Sequence, residues 1–213
     1  MKKSETFKFM LGALLLDSAI IVTAAPAQPK PQPMHVDLQT SSDIDDPVIR
    51  DAADMDGDLE VWWDIGVKYQ TGDGVKKDLK KAIMWFEKAA SRNYDNALVS
   101  LGDLYYQGEG VKQDYKKAFE LFSRALRRNI PSAQYRLGLC SYYGRGTKQD
   151  KKLAVEWFKK AAAQVDPEAS YMLGVCYEKG EGVAKDLKKA KKYYKEAAES
   201  DIKEAKAALK RLK

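Results

Sequence analysis

From about residue 59 to the end, the chain returns to the same pattern every 36 residues. Gly66, Gly102, Gly138 and Gly174 recur without drift, as do the pairs Gly72/Gly74, Gly108/Gly110, Gly144/Gly146 and Gly180/Gly182. Asp78, Asp114, Asp150 and Asp186 keep the same step, and so do two alanine columns that begin at Ala82 and Ala89. Five columns in lockstep over four copies leave few options. A unit this short cannot bury its own apolar face, so the copies must stack on one another as a solenoid.

The second copy shows what each unit becomes. In the stretch 96–107, Ala97, Leu101, Leu104 and Tyr105 fall on one face at helical spacing. Gly102 stands in mid-helix, where glycine costs about 1 kcal/mol against alanine, so its recurrence predicts a close helix–helix approach. Gly108-Glu109-Gly110 reverses the chain through positive φ, with Val111 plugging the turn. Asp114 then caps a second helix that runs to about Arg128, with Ala118, Phe119, Phe122 and Ala125 inward. Asn93 and Asn129 occupy the left-handed position that ends a second helix; Val165 breaks that pattern, and the turn after the third copy is expected to differ. Pro131 and Pro167 suit the opening turn of the next helix. After the fourth copy, residues 202–213 read as one further helix in which Lys210 replaces the recurring glycine, a polar end suited to capping the stack.

The residues that carry this pattern resemble a known family. Leu101-Gly102-x-x-Tyr105-x-x-Gly108-x-Gly110-Val111-x-x-Asp114-x-x-Lys117-Ala118 is similar to the Sel-1-like repeat, a relative of the tetratricopeptide repeat. The motif returns with Trp85-Phe86-x-Lys88-Ala89-Ala90, with Trp157-Phe158-Lys159-Lys160-Ala161-Ala162 and with Leu173-Gly174-x-x-Tyr177; Ile65, Ser141 and Thr147 depart from it. The resemblance implies an all-α fold, a right-handed α-solenoid of about four 36-residue helix–turn–helix repeats plus a C-terminal capping helix. The repeats are set at about 59–94, 95–130, 131–166 and 167–201, with the cap at 202–213. It also implies a concave surface that binds other proteins, without naming the partner.

Upstream the composition changes. Lys2, Lys3 and Lys8 precede an apolar run from Phe9 to Leu16, and Ala25-Pro26-Ala27 has the small-x-small form of a cleavage site. Residues 1–27 therefore read as a signal peptide cleaved after Ala27, which places the mature protein in the periplasm or outside the cell. Asp17 and Ser18 interrupt the run, which argues against a membrane anchor and leaves an uncleaved N-terminal helix as the other reading. Residues 28–58 are rich in Pro and Asp and poor in large apolar side chains, as expected of a tether. Its run Asp54-Met55-Asp56-Gly57-Asp58 begins like a calcium loop, but Leu59 and Ile65 stand where that loop needs glycine and glutamate. Asp58 is expected to cap the first helix instead. Between 28 and 60 nine acids face two bases, so the repeats carry more than the whole chain's net +6.

Chemistry is hard to find in the repeats. The only histidine, His35, lies in the tether, so no catalytic base, metal ligand or cofactor pocket is expected of the folded part. The glycine pairs follow a helix rather than a strand and lack a Walker lysine, which excludes a phosphate cradle. A cysteine-rich branch of the resembling family has been linked to β-lactam hydrolysis, and that is the alternative function. Its paired cysteines are replaced here by alanine or leucine, for example Ala90 and Ala97. Cys140 and Cys176 instead hold one equivalent position in successive copies and are expected to be reduced and buried, since stacked helices lie about 8–10 Å apart and a disulfide needs less than about 7 Å between Cα atoms.

Two surfaces remain as candidates for binding. The lysine pairs Lys80/Lys81, Lys116/Lys117, Lys151/Lys152 and Lys188/Lys189 read either as a solvated edge or as a stripe for an acidic protein, an anionic glycan or the chain's own tether. Nucleic acid fits the charge but not export. The other candidate is the arc of each first helix that faces away from Leu101 and Tyr105. It carries Tyr135, Arg136, Leu139, Tyr142 and Tyr143 in the third copy, and Tyr171, Met172, Val175, Glu178 and Lys179 in the fourth. Tyr135 and Tyr171 read equally as packing between repeats. Tyr106, Arg136, Tyr142 and Tyr143 are the expected centre of a protein- or peptide-binding surface.

Overall fold

The computed structural model describes residues 58–212. The expected signal segment and cleavage point after Ala27, the acidic stretch up to residue 57 and all of the calcium-like run but Asp58 lie outside the described residues. Nine α-helices and no strand are found among the described residues. The first helices of the four units are α1 (Leu59–Thr71), α3 (Asp95–Gln107), α5 (Pro131–Tyr143) and α7 (Pro167–Lys179). The second helices are α2 (Leu79–Ser91), α4 (Tyr115–Arg124), α6 (Lys151–Ala162) and α8 (Leu187–Glu199). A 3₁₀ turn, Ala125–Arg128, extends α4, and α9 (Lys203–Arg211) closes the series. Each first helix packs on its own second helix, and each second helix packs on the next first helix, which is the connectivity of an α-solenoid.

The turn inside each unit is built from the recurring residues. Gly72, Gly108, Gly144 and Gly180 end the first helices with φ between 70° and 85°. Asp78, Asp114, Asp150 and Asp186 then cap the second helices; Asp150, for instance, accepts from the N–H groups of Lys152 and Leu153 at 3.0 Å. The backbone N–H of each aspartate also donates to a carbonyl of the first helix, as Asp114 does to Tyr105 at 2.9 Å. One residue type thus starts the second helix and fastens it to the first. Asp58 caps α1 in the same way, accepting from Glu60 N–H at 3.0 Å.

The glycine in each first helix admits an aromatic ring. A Cβ on Gly102 would lie 2.4 Å from Cε1 of Phe122, and Gly66, Gly138 and Gly174 face Phe86, Phe158 and Tyr194 just as closely. Those four rings are among the largest fully buried side chains. The propensity cost of about 1 kcal/mol per glycine is offset by burial of a ring that contributes about 1.5–3 kcal/mol.

One detail departs from the sequence-based expectations, and a second adds to them. Val165 takes the same left-handed conformation (φ +64°) as Asn93 and Asn129, so the turn after the third copy does not differ. The lysine pairs are mostly exposed, with only Lys81 and Lys151 partly buried, and one lysine of each unit also lies over a ring. Lys81, Lys117 and Lys189 lie 5.3, 4.0 and 5.3 Å from the ring centres of Tyr69, Tyr105 and Tyr177. In the third copy both partners are exchanged together, for Ser141 and Leu153, and Lys151 lies over Tyr142 instead.

Candidate functional site

The first helices carry polar side chains at register positions that meet across repeats. Trp63 on α1 donates its indole N–H to Ser100 Oγ on α3 at 3.0 Å. Arg136 on α5 pairs with Asp103 on α3, with Nε 2.7 Å from Oδ1 and Nη2 donating to Oδ2 at 2.8 Å. Burial raises the Asp103 carboxyl above its ordinary pKa, and the Arg136 charge opposes that rise. Arg136 is therefore committed to a joint between the second and third copies.

Tyr106 on α3 and Arg145 in the turn after α5 make a second joint. Arg145 Nη1 donates to the Tyr106 hydroxyl at 2.8 Å. Its guanidinium carbon lies 5.1 Å from the ring centres of both Tyr106 and Tyr115, and 4.9 Å from that of Tyr143. Three tyrosines from three elements thus surround one cation, and Tyr106 is half-buried against Tyr115 and Phe122. Arg145 was not among the residues expected at the site. A signal for it exists in the sequence, because the other glycine pairs enclose Asp73, Glu109 and Glu181 and only this one encloses a base.

Tyr142 requires a correction. It is 6% exposed, part of the core with Phe158 and Met172 rather than of an open arc. Its hydroxyl donates to Glu181 Oε2, and Glu181 Oε1 accepts from Lys151 at 2.8 Å. Burial first, and then the bond to the Glu181 carboxylate, push the Tyr142 hydroxyl well above its ordinary pKa. The joint is the one that Tyr106 makes to Arg145 one repeat earlier, with Glu181 in place of the arginine.

Tyr143 is the one of the four that is open, at 50% exposure, and its ring meets Tyr142 edge-on at 4.8 Å. It stands at the edge of a cavity of about 490 Å³ between α5, α7, α8 and α9. The buried side chains of Tyr142, Met172 and Tyr194 form the deep part, and Tyr171 and Val175 line it between depth and edge. At the edge, Arg211 from α9 donates through Nη2 to Glu178 Oε2 at 2.9 Å and contacts Oε1 through Nη1. Tyr194 donates to the same carboxylate at 2.7 Å. These bonds, with that of Arg211 first, hold Glu178 below the usual carboxylate range. Of the expected residues, then, Tyr142 and Tyr143 meet at one site, while Tyr106 and Arg136 serve the joints beside it.

Among the described residues no group of His, Cys, Asp and Glu is placed to hold a metal ion. Cys140 and Cys176 are buried and unbridged, and burial pushes both thiols up to about 12, far from a reactive thiolate.

The family model described as the Sel1 repeat matches residues 63–94, 96–129, 131–166 and 167–202. The chain belongs to the Sel1 repeat family. A Sel1 repeat protein from Oxalobacter formigenes is 36% identical, with 71% of this chain and 62% of that one covered and a TM-score of 0.65. The protein c5321 of uropathogenic Escherichia coli, a protective antigen displaying an SLR fold, is 35% identical, with 72% of this chain and 32% of that one covered and a TM-score of 0.65. This Sel1 repeat chain therefore spans about a third of the length of the antigen and under two thirds of the Oxalobacter protein. Comparison with curated proteins finds no match. Sel1 repeat proteins generally mediate protein–protein interaction.

Proposed function

We propose that the chain is an exported, non-catalytic adaptor that holds a protein or peptide partner at the cavity beside Tyr143. The single observation that carries this reading is that cavity. Its size falls in the range of about 300–1,000 Å³ typical of binding pockets, and its lining combines aromatic and aliphatic side chains with charged ones and an exposed tyrosine. Tyrosine is favoured at such sites because it offers a large ring and a hydroxyl for little lost side-chain freedom. Elsewhere along the first helices, Ser100, Asp103, Tyr106 and Arg136 are bonded to neighbouring repeats and have less to offer a partner. The basic balance of the repeats favours an acidic partner over a basic one. Export rests on the basic and apolar pattern of residues 1–27, and it removes nucleic acid from consideration. No helix among the described residues is long and apolar enough to cross a membrane.

The test is a photo-crosslinking amino acid placed at position 143 in the chain expressed in its native cell. We expect one dominant protein adduct that does not form when the crosslinker stands at the solvated position Lys152. The intact mass of the chain should also show loss of the residues through Ala27. Equal adducts from both positions would remove the cavity as the binding site, and a full-length mass would remove export.

A further inference from the structure

Resting on that reading of the cavity, we infer that its occupant is a peptide segment bearing an aliphatic or aromatic side chain next to an acidic one. The apolar residue enters between Tyr143 and Tyr171, and the acid pairs with Lys179. Three observations carry this. First, the rings of Tyr143 and Tyr171 and the aliphatic side chains of Met172 and Val175 give the cavity apolar contact surface beside the charged groups of Glu178, Lys179 and Arg211. A side chain that enters between those two rings leaves water for ring faces and methyl groups, which favours an apolar one there.

Second, the one carboxylate in the lining is already spent. Glu178 accepts from both Arg211 and Tyr194, so a basic ligand would have to displace the Arg211 guanidinium to reach it. Glu204 lies near enough to act on Tyr171 but is not part of the lining. Third, the cations at the edge keep unspent capacity. Lys179 is exposed and engages in no ion pair among the described residues. Arg211 uses two of its five donors on Glu178 and its side chain is 62% exposed. An acid on the incoming segment therefore finds an exposed ammonium that Glu178 and Glu181 act on only from beyond ion-pair distance, while a lysine on that segment meets a carboxylate already bonded to Arg211. Charge of this kind selects the partner and its register, and the apolar side chain supplies most of the affinity.

The experiment is selection of a displayed library of random seven-residue peptides on the full chain, in parallel with selection on Tyr143→Ala and Lys179→Glu. Both substitutions are at exposed positions, and circular dichroism checks that each variant keeps its helices. On the wild type we expect enrichment of peptides with a Leu, Ile, Met or Phe within two residues of Asp or Glu. Those peptides should bind Tyr143→Ala at least tenfold more weakly, and Lys179→Glu should shift the enriched charge from acidic to basic. Enriched peptides that lose affinity in Tyr143→Ala but show no acidic preference would overturn this inference and leave the cavity as a binding site. Peptides that bind all three chains alike, or no enrichment at all, would overturn both.

Discussion

At Val165 the backbone takes φ +64°, a region that costs an L residue about 1–2 kcal/mol, and more for a branched side chain. The side chain is 84% exposed, so little packing offsets that cost. The position is held by its neighbours: the Val165 N–H bonds to Ala162 and the Asp166 N–H to Ala161, the same closure that Asn93 and Tyr94 make at the first repeat. We expect Val165→Asn to raise stability by about 0.5–1 kcal/mol, or about 1–4 °C in Tm for a chain of this size. Thermal melting followed by circular dichroism checks it, and a lower Tm would mean that an unrecognised contact holds the valine.

At the scale of elements, one glycine column does two jobs that the sequence does not separate. Gly74, Gly110, Gly146 and Gly182 all have φ between 71° and 74° and read as turn residues. From the second copy on, however, they are also the points where one repeat rests on the one before. A Cβ at Gly146 would stand 2.0 Å from the carbonyl oxygen of Tyr115, and one at Gly182 would stand 2.1 Å from that of Lys151. At Gly74 nothing lies within 4 Å. Gly74→Ala should therefore cost only the backbone strain, about 1–2 kcal/mol. Gly146→Ala adds a collision with rigid backbone and should cost about 1–3 kcal/mol more. Urea denaturation of the two variants measures the difference, and equal losses would refute the stacking role. The exchange of Tyr and Lys for Ser141 and Leu153 belongs to the same scale. Each lysine is seated on the ring of the preceding helix, so the two positions change as a pair.

For the molecule as a whole, the buried thiols and phenols set a limit on the alkaline side. Burial raises Cys140 and Cys176 from 9.0 to about 12, and Tyr135 from 10.0 to about 12. The unfolded chain releases these protons first, so the folded state binds more protons through that interval and stability falls as pH rises. The contribution is whole below about pH 9 and is lost progressively toward pH 12. We expect Tm to drop steadily over that window. At pH 8 the native protein should be inert to a thiol reagent, while two thiols react after unfolding. Reaction of either thiol in the native state would contradict the burial on which the prediction rests.

What the sequence determined by itself is everything local or periodic. The 36-residue step, the aspartate caps, the glycines that end the first helices, and the close approach at Gly102 follow from interactions within a few residues or from a pattern repeated four times. Repetition also makes the family legible, since each copy checks the others. Only the tertiary structure decided which of the tyrosines and charged side chains on the first helices remain available. Tyr142 and Tyr143 are adjacent in the chain, yet one bonds to Glu181 in the next repeat and the other opens onto a cavity completed by Arg211. Arg136 and Tyr106 looked equally free until partners 33 and 39 residues away claimed them. Helical periodicity assigns a side chain to an arc of its own helix, but the stacking distance and register between repeats decide whether that arc meets a neighbour or solvent. Those quantities are set by the sum of many packing contacts, and no single motif in the chain encodes them.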